Sequence, residues 1–262
     1  MRILVTVSAR AIGAATAAEL TRRGHHVIAT ARDASLLDDV DAAQRLRLDV
    51  TDDASIDAAL AEAGQVDAVV NNAAVSGAGP LEDYPIERLA AMFETNTLGA
   101  LRLVQRLVPG WRDRGQGVIV NVSSVQGQVS SPLEGAYSAT KYALEALSET
   151  LHYELRRFGI RTVIVQPGYI APGMKGSPKH AGPDEYAELW RQWEGTDAKV
   201  TGPSGRPGPE LVAVAIGDAI EQSDTPLRVP VGADAEMILS TRRQLDDATF
   251  ESAMRQALDL TW

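Results

Sequence analysis

The chain has 262 residues, of which 45% are hydrophobic and 23% are charged, and this composition is typical of a globular protein that can bury a large core. Its net charge of −10 argues against nucleic acid or an anionic membrane as a partner. The absence of cysteine excludes disulfide bonds and thiolate metal sites. No apolar run is long enough to span a membrane, and the first residues enter a strand without a signal-peptide pattern, so we expect a cytoplasmic protein.

Apolar runs alternate with amphipathic stretches along the first two thirds of the chain. The runs that predict buried strands are 2–7, 26–30, 45–49, 66–71, 118–122 and 160–165. The stretches that predict helices are 11–23, a segment capped by Thr51 or Asp52 that ends near 63, 86–108 with Asn96 interrupting it, and a helix from Tyr137 to the stop at Gly159. This alternation predicts an α/β fold, a single-domain doubly wound parallel sheet flanked by helices.

Residues 171–209 do not continue this alternation of strands and helices, because they are rich in proline and glycine. They contain one short predicted helix, with Tyr186, Leu189, Trp190 and Trp193 at helical spacing. Because the segment follows the carboxyl end of a strand, where ligands bind in such sheets, we predict a substrate lid. The alternative is that its aromatic residues pack on the body or on another subunit. A helix at 210–221, a strand at 227–231 and a charged C-terminal helix are predicted to follow.

A serine, a tyrosine and a lysine mark the candidate active site. Ser124 follows a predicted buried strand, and Tyr137 and Lys141 share one face of a helix because they are four residues apart. A phenol titrates near ~10, and an adjacent ammonium is expected to lower that pKa, which suits acid–base chemistry at a carbonyl or an alcohol. The serine hydroxyl can hold the substrate oxygen. Taken alone, the tyrosine and the lysine are equally well explained as helix-surface residues.

Further motifs accompany this trio in a fixed order. They are Asp49-Val50, Asn71-Asn72-Ala73-Ala74, Asn96 within NTLG, and Pro167-Gly168. With them the chain resembles the short-chain dehydrogenase/reductase family over most of its length, and its Tyr137 region is similar to the steroid- and retinol-type members. The resemblance implies a Rossmann-like fold, an oxidoreductase with a nicotinamide cofactor, and a homodimer or homotetramer. It also implies that Lys141 holds the nicotinamide ribose and that Asn96 steadies a water in a proton relay.

The predicted cofactor turn departs from the family pattern. The family has T-G-x-x-x-G-x-G, whereas this chain has TVSARAIG, from Thr6 to Gly13. The two missing glycines allow a tight turn and a close approach of the pyrophosphate. Val7 would be disfavoured at positive φ, and Ala11 adds a methyl group near the phosphates. If each change costs roughly 1–2 kcal/mol, cofactor affinity falls about 30- to 1000-fold, unless the turn adopts another shape.

The remaining cofactor predictions rest on the same resemblance. Arg32 ends the second strand, where users of NAD carry an acidic residue, and Arg10 lies in the turn; because arginine matches phosphate geometry, the pair favours NADP. Asp49 is expected to meet the adenine and Asn72 the ribose region. The predicted cofactor-binding residues are Thr6, Ser8, Arg10, Ile12, Gly13, Arg32, Asp49, Val50, Asn72, Lys141, Pro167 and Gly168. No metal is expected, because the histidines lack ligand spacing.

Three functions remain open from the sequence. The leading one is an NADP(H)-dependent ketoreductase that interconverts a ketone and a secondary alcohol on an apolar small molecule, with Ser124, Tyr137, Lys141 and Asn96 as catalytic residues. The second is a non-redox enzyme, an isomerase, dehydratase, cyclase or lyase, that kept the trio and lost the dinucleotide, as Val7 and Ala11 suggest. The third is a binding or regulatory protein with a relic site.

Overall fold

The computed structural model describes residues 1–174 and 179–262. Within these residues the chain forms a seven-stranded, entirely parallel sheet with the order β3-β2-β1-β4-β5-β6-β7. The strands are β1 (Arg2–Val5), β2 (His26–Ala31), β3 (Gln44–Arg47), β4 (Ala68–Asn71), β5 (Gly117–Val122), β6 (Ile160–Pro167) and β7 (Arg228–Val231). This order confirms the predicted doubly wound sheet.

Helices cover both faces of the sheet. In the described residues they are α1 (Ala11–Arg22), α2 (Asp53–Ala63), α3 (Ile86–Phe93), α4 (Gly99–Arg114), α5 (Gly135–Leu155), α6 (Ala187–Trp193), α7 (Thr196–Thr201), α8 (Glu210–Glu221), α9 (Ala233–Gln244) and α10 (Asp247–Leu258). Successive strand residues serve opposite layers: Ile3 packs in the core with α1 and α8, and Leu4 packs in the core with α2 and α4. None of the described helices has the length and apolar character of a membrane span.

Several boundaries differ from prediction by a few residues, and three differences change the description of an element. The first strand ends at Val5, so the next residues belong to the turn that follows it. The helix predicted over 86–108 is divided by a π-helical segment, Glu94–Leu98, which contains Asn96; such π bulges are frequent at functional sites. The C-terminal helix is two helices, because Asp246 starts α10 by accepting a hydrogen bond from the Thr249 N–H at 2.8 Å.

The segment predicted as a lid, 171–209, contains α6 and α7, and its residues 175–178 lie outside the described residues. The end of the chain rests on α6, where the Gln192 side-chain oxygen accepts the N–H of Thr261 at 2.9 Å. The Trp262 ring lies 5.6 Å from the Tyr186 ring. The C-terminus therefore supports this segment, and the lid itself stays a prediction.

Candidate active site

The structure brings the serine, tyrosine and lysine together at the carboxyl end of β5. Ser124 lies two residues beyond this strand, and Tyr137 and Lys141 stand on α5. The Ser124 hydroxyl is hydrogen-bonded to the Tyr137 phenol, and the Lys141 Nζ atom lies 5.6 Å from the centre of the Tyr137 ring. Tyr137 and Lys141 are buried, with exposed fractions of 8% and 2%. Burial of a lysine on an amphipathic helix is unusual, and it separates these residues from ordinary surface pairs.

The loop after β5 is tied to the helix that carries the tyrosine. The Ser124 oxygen accepts a hydrogen bond from the Gln126 N–H at 3.2 Å. The Gln126 side chain in turn accepts one from the Ser138 hydroxyl at 3.0 Å, and Ser138 is the neighbour of Tyr137. These bonds fix the serine hydroxyl against the phenol, so the pair is ordered before a substrate arrives.

The Tyr137 phenol is harder to ionise than a free phenol. Burial raises its pKa well above the ordinary value, the charge of Glu134 raises it further, and the hydrogen bond from Ser124 opposes both effects. The expected lowering of this pKa by Lys141 is therefore wrong. The reason is that the Lys141 ammonium donates to the Val122 carbonyl at 2.8 Å instead of to the phenol. Tyr137 is accordingly a protonated phenol at neutral pH.

Lys141 sits in a buried polar network that the sequence analysis missed. Burial lowers the pKa of its ammonium to about 8, and the charge of Glu145 opposes this shift. Glu145 accepts hydrogen bonds from the Gln166 amide at 2.9 Å and from the Arg228 guanidinium at 2.8 Å. The carboxylate is thus paired, as buried charges must be, and it stabilises the nearby ammonium.

Asn96 braces the site through its side chain. Its amide oxygen accepts the Val75 N–H at 2.8 Å, and its amide nitrogen donates to the Val75 carbonyl at 2.8 Å and to the Thr140 hydroxyl at 3.0 Å. These bonds hold the loop after β4 against α5, next to Lys141. The side chain therefore supports the site, and a role in a proton relay stays a prediction.

The cofactor turn keeps a shape that favours glycine. Val7 has φ 55° and Ala11 has φ 44°, so both lie in the left-handed region that L residues rarely adopt. Both residues therefore have the strained backbone conformation that was predicted for glycine positions of this turn. A Cβ atom on Gly13 would lie 2.0 Å from the Val7 carbonyl oxygen, so the family's last glycine remains necessary. Arg10, at the start of α1, makes no side-chain cap, so within the described residues the first N–H groups of the helix are available to bind an anion.

The side chains of Thr6 and Asn72 hold this turn in place through hydrogen bonds. The Thr6 hydroxyl accepts the N–H groups of Asn72 and Ala73, each at 2.9 Å. The Asn72 side-chain amide donates to the carbonyls of Thr6 at 3.0 Å and of Val7 at 3.2 Å. Thr6 and Asn72, both predicted to bind the cofactor, therefore support the turn. Their hydrogen bonds join the ends of β1 and β4.

Ser8 requires a correction, because its side chain cannot serve as a cofactor ligand. It is fully buried. Its hydroxyl donates to the Val5 carbonyl at 2.7 Å and accepts the Thr30 N–H at 3.2 Å. The tight turn at Val7 directs Ser8 inward, where it joins the turn to β2.

The basic residues predicted for the cofactor lie at the same edge of the sheet. Arg10 follows β1 and Arg32 follows β2, which are neighbouring parallel strands. Both are exposed, and within the described part of the chain neither makes a hydrogen bond or an ion pair. Burial raises the pKa of the nearby Asp49 carboxyl, but hydrogen bonds from Thr51 and the charge of Arg32 outweigh it, so the pKa is lowered overall. Asp49 is therefore ionised beside Arg32.

Four other predicted cofactor residues have clear structural roles. Ile12 is half-buried against the core, and Val50 is buried where a Cβ atom on Gly99 would meet it. Pro167 ends β6. Gly168 follows it, and a Cβ atom there would lie 2.1 Å from the carboxylate of Asp234, a residue that the sequence analysis missed.

A cavity of about 90 Å³ opens beside Ser124. Its apolar walls come from the loop after β5, from α6 and α7, and from the two C-terminal helices. The lining residues are Ser124, Val125, Gln126, Val129, Ser131, Gly168, Tyr169, Trp193, Val200, Ile238, Met254 and Leu258. The cavity therefore joins the serine hydroxyl to an apolar surface, and Trp193 brings the segment 171–209 into its wall.

Residues 1–181 match the family model described as short chain dehydrogenase. The chain therefore belongs to the short-chain dehydrogenase/reductase family. A solved short-chain dehydrogenase from Streptomyces avermitilis is 36% identical, with 97% of each chain covered and a TM-score of 0.79. The 3-ketodihydrosphingosine reductase of Bacteroides thetaiotaomicron is 29% identical, with 97% of this chain and 96% of the relative covered. These comparisons make the protein an oxidoreductase of this family.

A third relative was solved with a cofactor. The gluconate 5-dehydrogenase of Burkholderia cenocepacia, in complex with NADP and tartrate, is 25% identical, with 90% of this chain and 95% of that chain covered and a TM-score of 0.73. The present site fits such a dinucleotide, because the Arg10 side chain does not cap the start of α1 and, within the described residues, Arg10 and Arg32 make no hydrogen bond or ion pair.

Proposed function

We propose that this protein is an NADP(H)-dependent ketoreductase that interconverts a ketone and a secondary alcohol on an apolar small molecule. The observation that carries the proposal is the hydrogen bond between Ser124 and a protonated Tyr137, with the Lys141 ammonium 5.6 Å from the ring. The apolar cavity beside Ser124 supports an apolar substrate. The relative named as a reductase of 3-ketodihydrosphingosine supports a ketone as the reacting group.

NADPH, when bound, supplies the hydride that reduces the carbonyl carbon. The Ser124 and Tyr137 hydroxyls donate hydrogen bonds to the carbonyl oxygen and orient it. The Tyr137 proton moves to that oxygen as negative charge develops on it. The Lys141 ammonium then stabilises the phenolate that remains.

Several of the chain's own residues suit the dinucleotide. The N–H groups at the start of α1 suit the pyrophosphate, and Gly13 lets the helix pack closely against the end of β1. Arg10 and Arg32 suit an additional phosphate on the adenosine ribose, because guanidinium groups bind phosphate in a forked geometry. Asp49 and Lys141 stay proposed ligands of the adenine and of the nicotinamide ribose.

The cover of the substrate and the assembly also stay proposals. The described helices α6 and α7 would cover an apolar group next to Ser124, since Trp193 and Val200 already line the cavity. The family resemblance supports a homodimer or homotetramer, and a cytoplasmic location remains the expectation from the sequence.

One observation favours the second candidate, a non-redox enzyme with the same trio. Val7 and Ala11 keep positive φ angles that glycine would adopt without strain. A chain that no longer binds a dinucleotide would have little need for glycine there. Measurement of cofactor binding separates the two candidates.

The acid–base proposal is tested by Tyr137→Phe, which removes only the titrating oxygen. NADPH consumption with apolar ketones should fall roughly 100- to 10,000-fold, the range for loss of a general acid. Tyr153→Phe is the matched control, because Tyr153 stands on the same helix with an exposed fraction of 72% and should keep full activity. Turnover of Tyr137→Phe within tenfold of the wild type would refute the assignment.

A further inference from the structure

The cavity beside Ser124 has a wall that the mechanism above does not use. Ser124 starts the loop after β5, which packs on α5 and α9, whereas α10 packs on α7. Helix α10 nevertheless reaches the same cavity, because its residues Met254 and Leu258 line it together with Ser124. The cavity therefore extends from the serine that holds the carbonyl to α10. We call Met254 and Leu258 the end wall.

The sides of the cavity belong to a packed core. Val125, Val129 and Ile238 line the cavity and are members of one buried hydrophobic cluster. Val200 of α7 and Phe250 of α10 pack against this cluster. Because packed apolar side chains leave little free space and deform little, the core fixes the width of the cavity.

Polar contacts hold the end wall in place. The Lys199 ammonium on α7 donates to the Leu258 carbonyl at 2.7 Å, and it lies 3.6 Å from the Asp259 carboxylate. Beyond α10, the Thr261 hydroxyl accepts a hydrogen bond from the Gln192 side-chain amide on α6 at 2.9 Å. These bonds join α10 to α6 and α7, so the end wall moves outward only if they break.

The volume of the cavity sets the size of the group that it accepts. In proteins an apolar cavity of ~150 Å³ holds benzene, which has six carbons, so about 25 Å³ is needed for each carbon. The present cavity of about 90 Å³ then has room for about four carbons. With its width fixed by the core, a longer group reaches the end wall.

We propose that Met254 and Leu258 determine substrate specificity, because as the end wall they limit the apolar chain of the ketone to about four carbons. This inference rests on the proposed ketoreductase function and names its substrates. They are short-chain ketones whose carbonyl lies at Ser124 and whose alkyl chain extends toward α10. A longer chain must displace α10 or leave methylene groups outside the cavity, so added length brings no further affinity.

The test is a series of methyl ketones from 2-butanone to 2-octanone. Ligand-observed NMR measures their dissociation constants for the whole wild-type chain, without NADPH so that no ketone is consumed. Each added methylene should tighten binding about fourfold up to 2-hexanone, since burial of a methylene has this value. The dissociation constants of 2-hexanone and 2-octanone should then be about equal. A gain of about 16-fold between these two ketones would overturn the inference without any variant.

The variant Met254→Ala shortens the end wall, and because Met254 is half-buried the variant should fold. In this variant 2-octanone should bind about tenfold more tightly than 2-hexanone. Met237→Ala is the matched control, because Met237 is exposed on α9 and is a described residue that does not line the cavity; it should keep the wild-type ratio. An unchanged ratio in Met254→Ala would overturn the inference. If Met254→Ala does not fold, Leu258→Ala is judged by the same ratio.

Binding and turnover separate this inference from the proposed function. Ketones that bind with the expected length limit, but are not reduced with NADPH, would refute the ketoreductase and support the end wall. Ketones that are reduced, with affinity that still rises through 2-octanone, would refute the end wall alone. Failure of every ketone in the series to bind would overturn the inference as well.

Discussion

The two positive φ angles of the cofactor turn predict an unusual result for substitution by glycine. Val7 at φ 55° and Ala11 at φ 44° have these angles in the folded chain. The strain, about 1–2 kcal/mol per residue, should therefore appear in the free energy of unfolding. Glycine relieves it but orders a more flexible residue, which offsets about 0.5–1 kcal/mol. Each change, Val7→Gly and Ala11→Gly, should then stabilise the protein by roughly 0.5–1 kcal/mol.

Urea denaturation of the single and double variants measures this gain. Ala18→Gly is the matched control, because Ala18 is exposed in the middle of α1, where glycine should destabilise by about 0.5–1 kcal/mol. If Ala11→Gly raises the free energy of unfolding and Ala18→Gly lowers it, the strain at Ala11 is established. If Ala11→Gly destabilises as much as Ala18→Gly, the reasoning is refuted.

Cofactor affinity gives a further prediction. The loss of about 30- to 1000-fold predicted from the sequence assigns the strain to binding, whereas positive φ angles in the folded turn assign it to folding. Only contact between the side chains and the pyrophosphate then weakens binding. The double variant should thus tighten NADPH binding by roughly tenfold at most, equivalent to about 1.4 kcal/mol.

Two further predictions follow from single side chains. In the folded protein the pKa of Glu134 is raised from 4.5 to about 7; the neutral carboxyl is therefore favoured, and stability present below pH 4.5 is lost as the pH rises through 7. This loss is at most about 3 kcal/mol and smaller with solvent screening, so Glu134→Gln should be more stable than the wild type at pH 8 and equal to it below pH 4.5. A difference in urea midpoint that does not change with pH would contradict this. An apolar ketone should alter tryptophan fluorescence through Trp193, which lines the cavity, and Trp193→Phe should reduce the change. Binding of the ketone to the wild type with no change of tryptophan fluorescence would contradict the lid role of α6.

The sequence was sufficient to predict structural features that follow from a repeating pattern or from residues close together in the chain. Hydrophobic periodicity located the strands and helices, and their alternation predicted the parallel sheet. The spacing of Tyr137 and Lys141 placed both on one helix face, and Ser124 was placed at a strand end. The interruption at Asn96 was visible as a break in helical pattern, and the structure shows a π-helical segment there.

Contacts between distant segments were not predictable in this way. Ser8 resembles a ligand in the family pattern, but the strained angle at Val7 turns its hydroxyl toward Val5 and Thr30. The pKa of Tyr137 depends on burial and on Glu134, so the lysine four residues away gave the wrong direction. The effect of Glu134 on this pKa could have been predicted from the sequence, because Glu134 stands three residues before Tyr137. Nothing local pairs Gly168 with Asp234, because that contact exists only after folding.

The central claim, that this family member uses NADP(H), is tested most directly by titrating the purified protein with NADPH and with NADH in a calorimeter. Arg10 and Arg32 are exposed and unpaired within the described part of the chain, so NADPH should bind roughly tenfold more tightly than NADH, and less so at high salt. A wild-type protein that binds neither nucleotide at millimolar concentration, yet converts a substrate through Tyr137, would contradict the claim and establish the non-redox alternative.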